Sequence, residues 1–134
     1  MESESHLLLC KILKKDMEKS ISLTVDGVWS SGTTAFPELP NVSSSFGYKP
    51  DLKYAENNKL IAIGDAKISS DIQNKHTYNQ LGAYVKTMRE FRTRLLFLRT
   101  PSAQFPETLL FLETIDCLKT GLQLFVNGIK VFSK

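Results

Sequence analysis

The spacing of apolar side chains near the start of the chain predicts a helix followed by a strand. Leu9, Leu13 and Met17 recur in steps of four over residues 3–18, which is typical of the buried face of an amphipathic helix. Residues 20–25 then alternate between polar and apolar side chains, and this period of two favours a strand. The chain is therefore expected to begin with a helix that packs against a sheet.

A long loop and a β-hairpin are expected next. Residues 31–47 are rich in Ser, Gly, Pro and Thr without any period, which predicts a loop, and long loops are often functional. Two strand-like runs, residues 51–55 and 60–67, flank a short polar turn at residues 56–58. The sequence therefore predicts two antiparallel strands whose outer ends lie side by side.

Helices and strands alternate through the second half of the chain. The first helix predicted there begins at a cap among Ser69, Ser70 and Asp71 and ends at about residue 91, and a strand over 95–100 follows it. A second helix is predicted over 106–118, with Gly121 as its stop. A hairpin with Asn127-Gly128 in its turn is expected to close the chain. This order predicts an α/β fold in which helices flank a mixed central sheet. A right-handed crossover is expected between the strands at 60–67 and 95–100.

Composition limits the class of protein without identifying it. The 134 residues, with 42% hydrophobic and 23% charged side chains, suit one globular domain over residues 1–134. No apolar run approaches about 18 residues, and the start of the chain lacks a basic region, so neither a membrane span nor a secretory signal is expected. Cys10 and Cys117 lie in apolar helical patterns, which favours buried thiols and a reducing, cytoplasmic location.

Basic residues are unevenly distributed, although the formal net charge is only +3. Between residues 86 and 99 the only acid is Glu90, and the basic residues there are Lys86, Arg89, Arg92, Arg94 and Arg99. Such a patch suits a polyanion such as nucleic acid. A solvated helix end is the alternative.

The end of the 60–67 strand carries the most specific chemistry. Side chains alternate along a strand, so Asp65 and Lys67 project to one face and Ala66 to the other. Asp51, at the start of the partner strand, is expected near Asp65. Two carboxylates crowd poorly without a cation, and Mg²⁺ prefers oxygen ligands, so we expect a magnesium site here. The alternative is that Asp51 caps a turn while Asp65 and Lys67 form a solvated ion pair.

This combination resembles the signature of the PD-(D/E)XK nuclease superfamily, which has the restriction-endonuclease-like fold. The signature matches Pro50-Asp51 followed by Asp65-Ala66-Lys67, and residues 2–100 match the family's element order. The resemblance implies an αβββαβ core, here with an added C-terminal helix and β-hairpin, and Mg²⁺-dependent hydrolysis of phosphodiester bonds with Mn²⁺ as a substitute. The implied metal ligands are Asp51, Asp65 and the Ala66 carbonyl, and the implied catalytic lysine is Lys67.

The first helix is also expected to contribute to this site. Many members of the superfamily use a glutamate there, and the candidates that the resemblance implies are Glu2, Glu4 and Glu18. Glu2 is favoured as metal ligand and catalytic residue, because it shares the inward stripe of the helix with His6. The alternative for all three is an ordinary acid on the helix surface.

A polar ridge with steps of four lies on the helix after the motif, and consists of His76, Gln80 and Tyr84. Gln80 and Tyr84 resemble the Gln-xxx-Tyr motif of RecB-like nucleases, in which these side chains lie near the active site or contact nucleic acid. Gln80 is expected to bind a phosphate or orient the lysine, and Tyr84 either stacks on a base or packs in the core. His76 is either a surface residue or a contact to the scissile phosphate.

Taken together, these patterns predict a small Mg²⁺-dependent DNA endonuclease, either restriction-like or selective for junctions. Double-stranded or branched DNA is the expected partner, Arg89 and Arg92 are candidate contacts to it, and the apolar hairpin at residues 122–132 is a candidate homodimer interface. No ATP-binding loop, zinc-ligand spacing or acyl-transfer motif is present, so no nucleotide cofactor is expected. The alternatives are a catalytically inactive nucleic-acid-binding module with the same fold, and an interaction protein with a coincidental Asp-x-Lys.

Overall fold

Three helices and one six-stranded mixed sheet make up the described part of the chain, which has an α/β fold. The computed structural model describes residues 4–31, 50–57, 59–90, 92–93, 95–115, 118 and 121–131. The helices are α1 (Glu4–Ser20), α2 (Lys75–Glu90) and α3 (Phe105–Glu113), and the strands are β1 (Gly27–Ser31), β2 (Leu52–Glu56), β3 (Lys59–Ala66), β4 (Leu95–Arg99), β5 (Gln123–Val126) and β6 (Ile129–Val131).

Some predictions concern residues outside these ranges. They are Glu2 as a ligand from the first helix, Arg94 in the basic patch, Cys117 as a buried thiol, and the 31–47 loop beyond Ser31. Within the described ranges, no helix is both long enough and apolar enough to cross a membrane.

The strands are ordered in the sheet as they are in the sequence, from β1 to β6. β3, β4 and β5 pair in parallel, and every other neighbouring pair is antiparallel. The two predicted hairpins, β2–β3 and β5–β6, are confirmed, and α2 forms the crossover between the parallel strands β3 and β4. The carboxyl ends of β3 and β4 therefore lie at the same edge of the sheet, where open α/β sheets commonly bind ligands.

Each face of the sheet is covered by helices, which gives two apolar cores. α1 covers one face, where the buried residues of the cluster are Leu9, Leu13, Met17, Ile21, Leu52, Tyr54, Ala62, Ala66 and Phe97. The other core contains residues of α2 and α3, including Leu81, Tyr84, Val85, Met88 and Leu112, packed against Ile63, Leu96, Leu98, Leu124 and Val126 of the strands. The end of β3 is thus enclosed between α1 on one side and α2 on the other.

A β-bulge in β3 determines which of its side chains face each helix. The register between β2 and β3 shifts between Tyr54 and Ala55, which leaves Ile61 as an extra residue on β3. Past the bulge the side chains alternate regularly, so that Ala66 packs in the core beneath α1 while Asp65 lies on the α2 side.

The predicted strand over residues 20–25 is wrong. The Ile21 N–H donates a hydrogen bond to the Met17 carbonyl, so residue 21 continues the last turn of α1. Leu23 and Val25 are exposed, and the chain turns before β1, where the Gly27 N–H donates to the Thr24 carbonyl. The strand that pairs with β2 is instead Gly27–Ser31.

Two helix ends and one thiol also differ from the predictions. Asn74 caps α2, because its Oδ1 accepts a hydrogen bond from the Thr77 N–H at 2.8 Å, whereas residues 69–71 form a separate short turn of 3₁₀ helix. α3 ends at Glu113, well before Gly121. Cys10 is half-buried, because its side chain lies at the edge of α1 beside His6.

Candidate functional site

Two aspartates meet at the open end of the β2–β3 hairpin. Because Leu52 pairs with Gly64, Asp51 lies opposite Asp65 at the next position. The Asp51 N–H donates a hydrogen bond to Asp65 Oδ1 at 3.1 Å, and the Ala66 N–H donates one to Asp51 Oδ2 at 2.8 Å. Each carboxylate is therefore fixed by the backbone of the opposite strand.

Burial changes the acid–base behaviour of Asp65, whose exposed fraction is only 1%. Loss of contact with water raises the pKa of the Asp65 carboxyl well above its usual range, the charge of Asp51 raises this pKa further, and Lys67 opposes the shift. Lys67 Nζ lies 2.9 Å from Asp65 Oδ2 and forms an ion pair with it. The buried carboxylate is therefore held by the Lys67 ammonium at one oxygen and by the Asp51 N–H at the other.

A ring of polar contacts connects Lys67 to α2 and returns to Asp65. Lys67 Nζ donates a hydrogen bond to Gln80 Oε1, and Gln80 Nε2 donates one to Tyr84 OH at 2.7 Å. The Tyr84 hydroxyl in turn donates to Asp65 Oδ1 at 3.5 Å. Burial and the nearby negative charge of Asp65 both raise the pKa of Tyr84, so its hydroxyl keeps its proton and remains a donor.

This ring decides between the two roles expected for Tyr84. Tyr84 has no exposed surface, so it cannot stack on a base and instead packs in the core with its hydroxyl in the polar ring. Gln80 is also buried and holds Lys67 from the side of α2. Both residues therefore support the charged end of β3 from within the protein.

The α1 residue that reaches the carboxylates is His6, which the sequence analysis did not select. His6 Nε2 lies 3.1 Å from Asp51 Oδ2 and 3.2 Å from the Ala66 carbonyl oxygen. Both oxygens accept hydrogen bonds, so Nε2 carries a proton in this arrangement. Glu4 and Glu18 are exposed on α1, and Glu2 lies outside the described residues. The inward stripe of α1, on which His6 lies, is the sequence signal that points to it.

The group as a whole offers donors that suit a divalent cation. Oxygen donors come from Asp51, Asp65 and the Ala66 carbonyl, which lie at adjoining positions of the hairpin. A further set of possible metal ligands consists of His6, Cys10 and Asp51, because one ligand atom of each lies within 4.8 Å of the other two. The crowding of the two carboxylates is a feature that a bound cation would relieve.

The remaining predicted contacts lie at the two ends of α2. His76 is exposed in the first turn of the helix, one turn before Gln80. Arg89 and Arg92 are exposed at the other end of α2, about 14 Å or more along the helix from Gln80. Thr93, just beyond that end of α2, donates a hydrogen bond through Oγ1 to the Leu60 carbonyl near the start of β3. This end of α2 therefore lies beside the start of β3, whereas Asp65 and Lys67 lie at the other end of the strand.

The predicted basic patch is divided in the structure. Arg99 is mostly buried at the end of β4, and its Nη1 atom lies 3.5 Å from Asp16 Oδ2 on α1. Burial raises the pKa of Asp16, and the charge of Arg99 partly opposes this shift. Arg99 is therefore on the α1 side of the sheet, apart from the exposed Arg89 and Arg92 at the end of α2.

Comparison with known proteins adds no family assignment. A scan against protein-family models, a search of curated proteins and a search of solved structures each found no match to this chain.

Proposed function

We propose that this chain is a Mg²⁺-dependent nuclease that hydrolyses phosphodiester bonds in DNA, with Mn²⁺ able to replace Mg²⁺. The observation that carries the proposal is the convergence of Asp51, Asp65 and Lys67 at the end of one hairpin, where Asp51 N–H and Asp65 Oδ1 are 3.1 Å apart and Lys67 Nζ is 2.9 Å from Asp65 Oδ2. These are the residues on which the resemblance to the PD-(D/E)XK superfamily rests.

The order of elements supports the same assignment. The restriction-endonuclease-like core has the order αβββαβ, and the matching elements here are α1, β1, β2, β3, α2 and β4. After β4, α3 is followed by the β5–β6 hairpin, which extends the sheet. We therefore assign the αβββαβ core to this family as part of the proposal. The location of the carboxylates at the ends of β2 and β3, between α1 and α2, is a further argument for it.

The proposed roles follow from the contacts of each side chain. Asp51, Asp65 and the Ala66 carbonyl would hold the metal, and His6 takes the α1 position expected for a glutamate. A bound Mg²⁺ lowers the pKa of a coordinated water and neutralises charge that develops on the phosphate.

Lys67 is the residue that we assign to the substrate. Its side chain is partly exposed, with 13% of the surface accessible, while the contacts of its ammonium to Asp65 and Gln80 fix its position. A positive charge held in this way is suited to binding a phosphate oxygen or to orienting the attacking water. Gln80 and Tyr84 are positioning residues, because they act through Lys67 and Asp65.

DNA as the substrate and an endonuclease mode of action are parts of the proposal that follow from the family resemblance. A homodimer would allow the enzyme to act on two strands. Among the described residues β6 is an edge strand of the sheet, with Ile129 exposed. This supports a dimer contact at the C-terminal hairpin, since an edge strand is able to pair with a second copy.

A nuclease assay on the full chain tests the proposal. Wild type and the Asp65→Ala and Lys67→Ala variants are incubated with linear, single-stranded and branched DNA in Mg²⁺ or Mn²⁺. We expect wild type to cut at least one substrate and each variant to be about 100-fold slower or worse, because that factor corresponds to about 2.7 kcal/mol of lost charge stabilisation.

The matched controls are Asp26→Ala and Lys59→Ala, which remove the same side chains at exposed positions away from the site. Both are expected to cut at the wild-type rate. The proposal is overturned when wild type cuts none of the substrates, or when both site variants cut as fast as the controls.

One contact favours the second candidate function, a catalytically inactive nucleic-acid-binding module. The His6 Nε2–H group lies between Asp51 Oδ2 and the Ala66 carbonyl and is able to satisfy both oxygens without a metal. This candidate predicts DNA binding in a mobility-shift assay together with no cleavage and no binding of Mg²⁺.

A further inference from the structure

Three potential metal ligands of different chemistry converge beside the carboxylate pair. His6 and Cys10 lie one turn apart on α1, and Asp51 directly precedes β2. Cys10 Sγ is 3.9 Å from each ring nitrogen of His6, and His6 Nε2 is 3.1 Å from Asp51 Oδ2. One ligand atom from each residue lies within 4.8 Å of the other two, and all three residues are partly exposed, so an ion can reach them from solvent.

The separations suit an ion bound tetrahedrally through nitrogen, sulfur and oxygen. Zn²⁺ binds His at about 2.0–2.1 Å, Cys at about 2.3 Å and Asp at about 2.0–2.2 Å, which places neighbouring ligand atoms about 3.4–3.6 Å apart. The separations of 3.1 Å between His6 Nε2 and Asp51 Oδ2 and of 3.9 Å between Cys10 Sγ and His6 Nε2 each differ from that range by about 0.3 Å. The ligand atoms of Cys10 and Asp51 lie within 4.8 Å of each other, so side-chain rotations that bring them closer by up to about 1.2 Å form the site.

The thiol is the ligand that the proposed Mg²⁺ chemistry leaves unused. Mg²⁺ takes oxygen ligands, whereas thiolates select softer ions such as Zn²⁺. Cys10 is placed next to His6, and His6 contacts Asp51, so a soft ligand adjoins the residues that would hold Mg²⁺. The same place on the protein therefore combines two metal preferences.

We propose that His6, Cys10 and Asp51 bind Zn²⁺, and that this ion blocks the nuclease because Asp51 is needed for both metals. On binding, Cys10 releases its thiol proton to solvent. The proton on His6 Nε2 moves through solvent to Nδ1, so that Nε2 binds the ion as part of a neutral imidazole. Water or the Ala66 carbonyl supplies the fourth ligand. The inhibition rests on the proposed nuclease function, whereas Zn²⁺ binding rests on the three side chains alone.

Cobalt spectroscopy tests the binding without any need for activity. The metal-free full chain is titrated with Co²⁺, which gives a near-ultraviolet charge-transfer band when a thiolate is bound, and Zn²⁺ is then added to displace it. We expect one Co²⁺ per chain with this band in wild type and in Cys117→Ser, the control for the other cysteine. Cys10→Ser should lose the band and bind Zn²⁺ at least about tenfold more weakly. Even the loss of a group that only supports a metal ligand weakens metal binding by about that factor, and Cys10 is a proposed ligand itself.

The second measurement is the Zn²⁺ concentration that halves DNA cleavage in excess Mg²⁺, relative to each protein's own rate without Zn²⁺. We expect this concentration to be at least about tenfold higher for Cys10→Ser than for Cys117→Ser, in line with the affinities. The Zn²⁺ site is overturned when wild type gives no thiolate band, or when folded Cys10→Ser keeps both the band and the affinity. A thiolate band in a protein that cuts no DNA supports the site and refutes only the nuclease.

Discussion

The Asp51 N–H donates a hydrogen bond to Asp65 Oδ1 at 3.1 Å, while the Asp51 carboxylate raises the pKa of Asp65. The backbone contact favours the ionised form of Asp65, but burial and the neighbouring charge outweigh it. The end of the hairpin therefore brings together two carboxylates at a cost in stability. Sites built for function commonly carry such a cost, because their charges are arranged for a ligand.

Asp65→Asn is expected to change how stability depends on pH. The folded-state pKa of Asp65 is raised above its unfolded value of about 3.9, so its contribution to stability is complete below that pH and is lost as the pH rises through the folded-state pKa. Asp65→Asn cannot ionise and avoids this loss. Urea unfolding in chelator should therefore show the variant gaining stability relative to wild type between pH 4 and pH 7.

Asp26→Asn is the matched control for this measurement. Its side chain is exposed, and removal of its charge should leave the pH dependence of unfolding as in wild type. Parallel stability curves for wild type and Asp65→Asn between pH 4 and pH 7 would contradict the raised pKa of Asp65.

The same substitution at two glycines should have opposite effects on stability. A Cβ at Gly64 on β3 would lie 2.6 Å from Met17 Sδ and 3.2 Å from the Leu13 methyl groups, so these fully buried side chains of α1 must shift. Gly64→Ala is expected to destabilise the fold by about 1–3 kcal/mol. Gly82, in α2, has open space at this position, and Gly82→Ala should stabilise by about 0.5–1 kcal/mol through helix propensity.

Chemical denaturation of both glycine variants in the same buffer gives the measurement. Each variant is the control for the other, since the added methyl group is identical and only its surroundings differ. No loss of stability at Gly64 would contradict the packing of α1 on β3, and a loss at Gly82 would contradict the open space beside α2.

Mg²⁺ should stabilise the wild-type protein and should not stabilise Asp51→Asn. A ligand that binds only the folded state adds about 2.7 kcal/mol at 100 times its dissociation constant. Asp51→Asn removes one of the two proposed carboxylate ligands, so thermal unfolding of this variant should not respond to Mg²⁺ or Mn²⁺. Asp26→Asn serves as the exposed control and should respond as wild type does. The proposed metal ligands would be incorrect if Mg²⁺ stabilised Asp51→Asn and wild type by the same amount.

Local turn chemistry explains why both hairpins are predictable from the sequence. Asn127 and Gly128 adopt positive φ angles of 52° and 81°, which this pair of residues accepts more readily than most others. Asn127 also accepts a hydrogen bond from the Thr100 N–H through its Oδ1, at 2.8 Å. The turn type is encoded directly in Asn127 and Gly128, whereas the contact with Thr100 joins residues 27 positions apart in the sequence.

The exact pairing of the two aspartates depends on a feature that the sequence pattern does not encode. With a regular hairpin closed by the Glu56–Lys59 pair, Asp51 would lie opposite Gly64. The bulge at Ile61 shifts the register by one residue and brings Asp51 opposite Asp65. A bulge has no periodic signature, so residue spacing alone predicts that the aspartates are near each other without predicting their contacts.

His6 and the false strand at residues 20–25 show how tertiary packing overrides local patterns. The helical stripe correctly places His6 on the inward face of α1, but its contact with Asp51 depends on how closely α1 approaches β3. The alternation at residues 20–25 favours a strand by itself, yet Ile21 continues α1 and the chain then turns into β1. A distant contact also holds residues 20–25 out of a strand, because the Thr24 N–H donates a hydrogen bond to the Tyr54 hydroxyl of β2 at 3.2 Å.

Gln80→Leu is expected to reduce DNA cleavage about 100-fold while the fold is retained, because misplacement of a reacting group by about 1 Å has an effect of that size. The variant removes the oxygen that holds the Lys67 ammonium, and leucine is similar in size to glutamine. Gln80→Glu keeps the acceptor oxygen for Lys67 but loses the Nε2 donor to Tyr84, so it should recover part of the rate. Initial rates in Mg²⁺ and thermal unfolding measure the two effects separately. Equal cleavage by wild type and Gln80→Leu would show that Gln80 does not position Lys67 for the reaction.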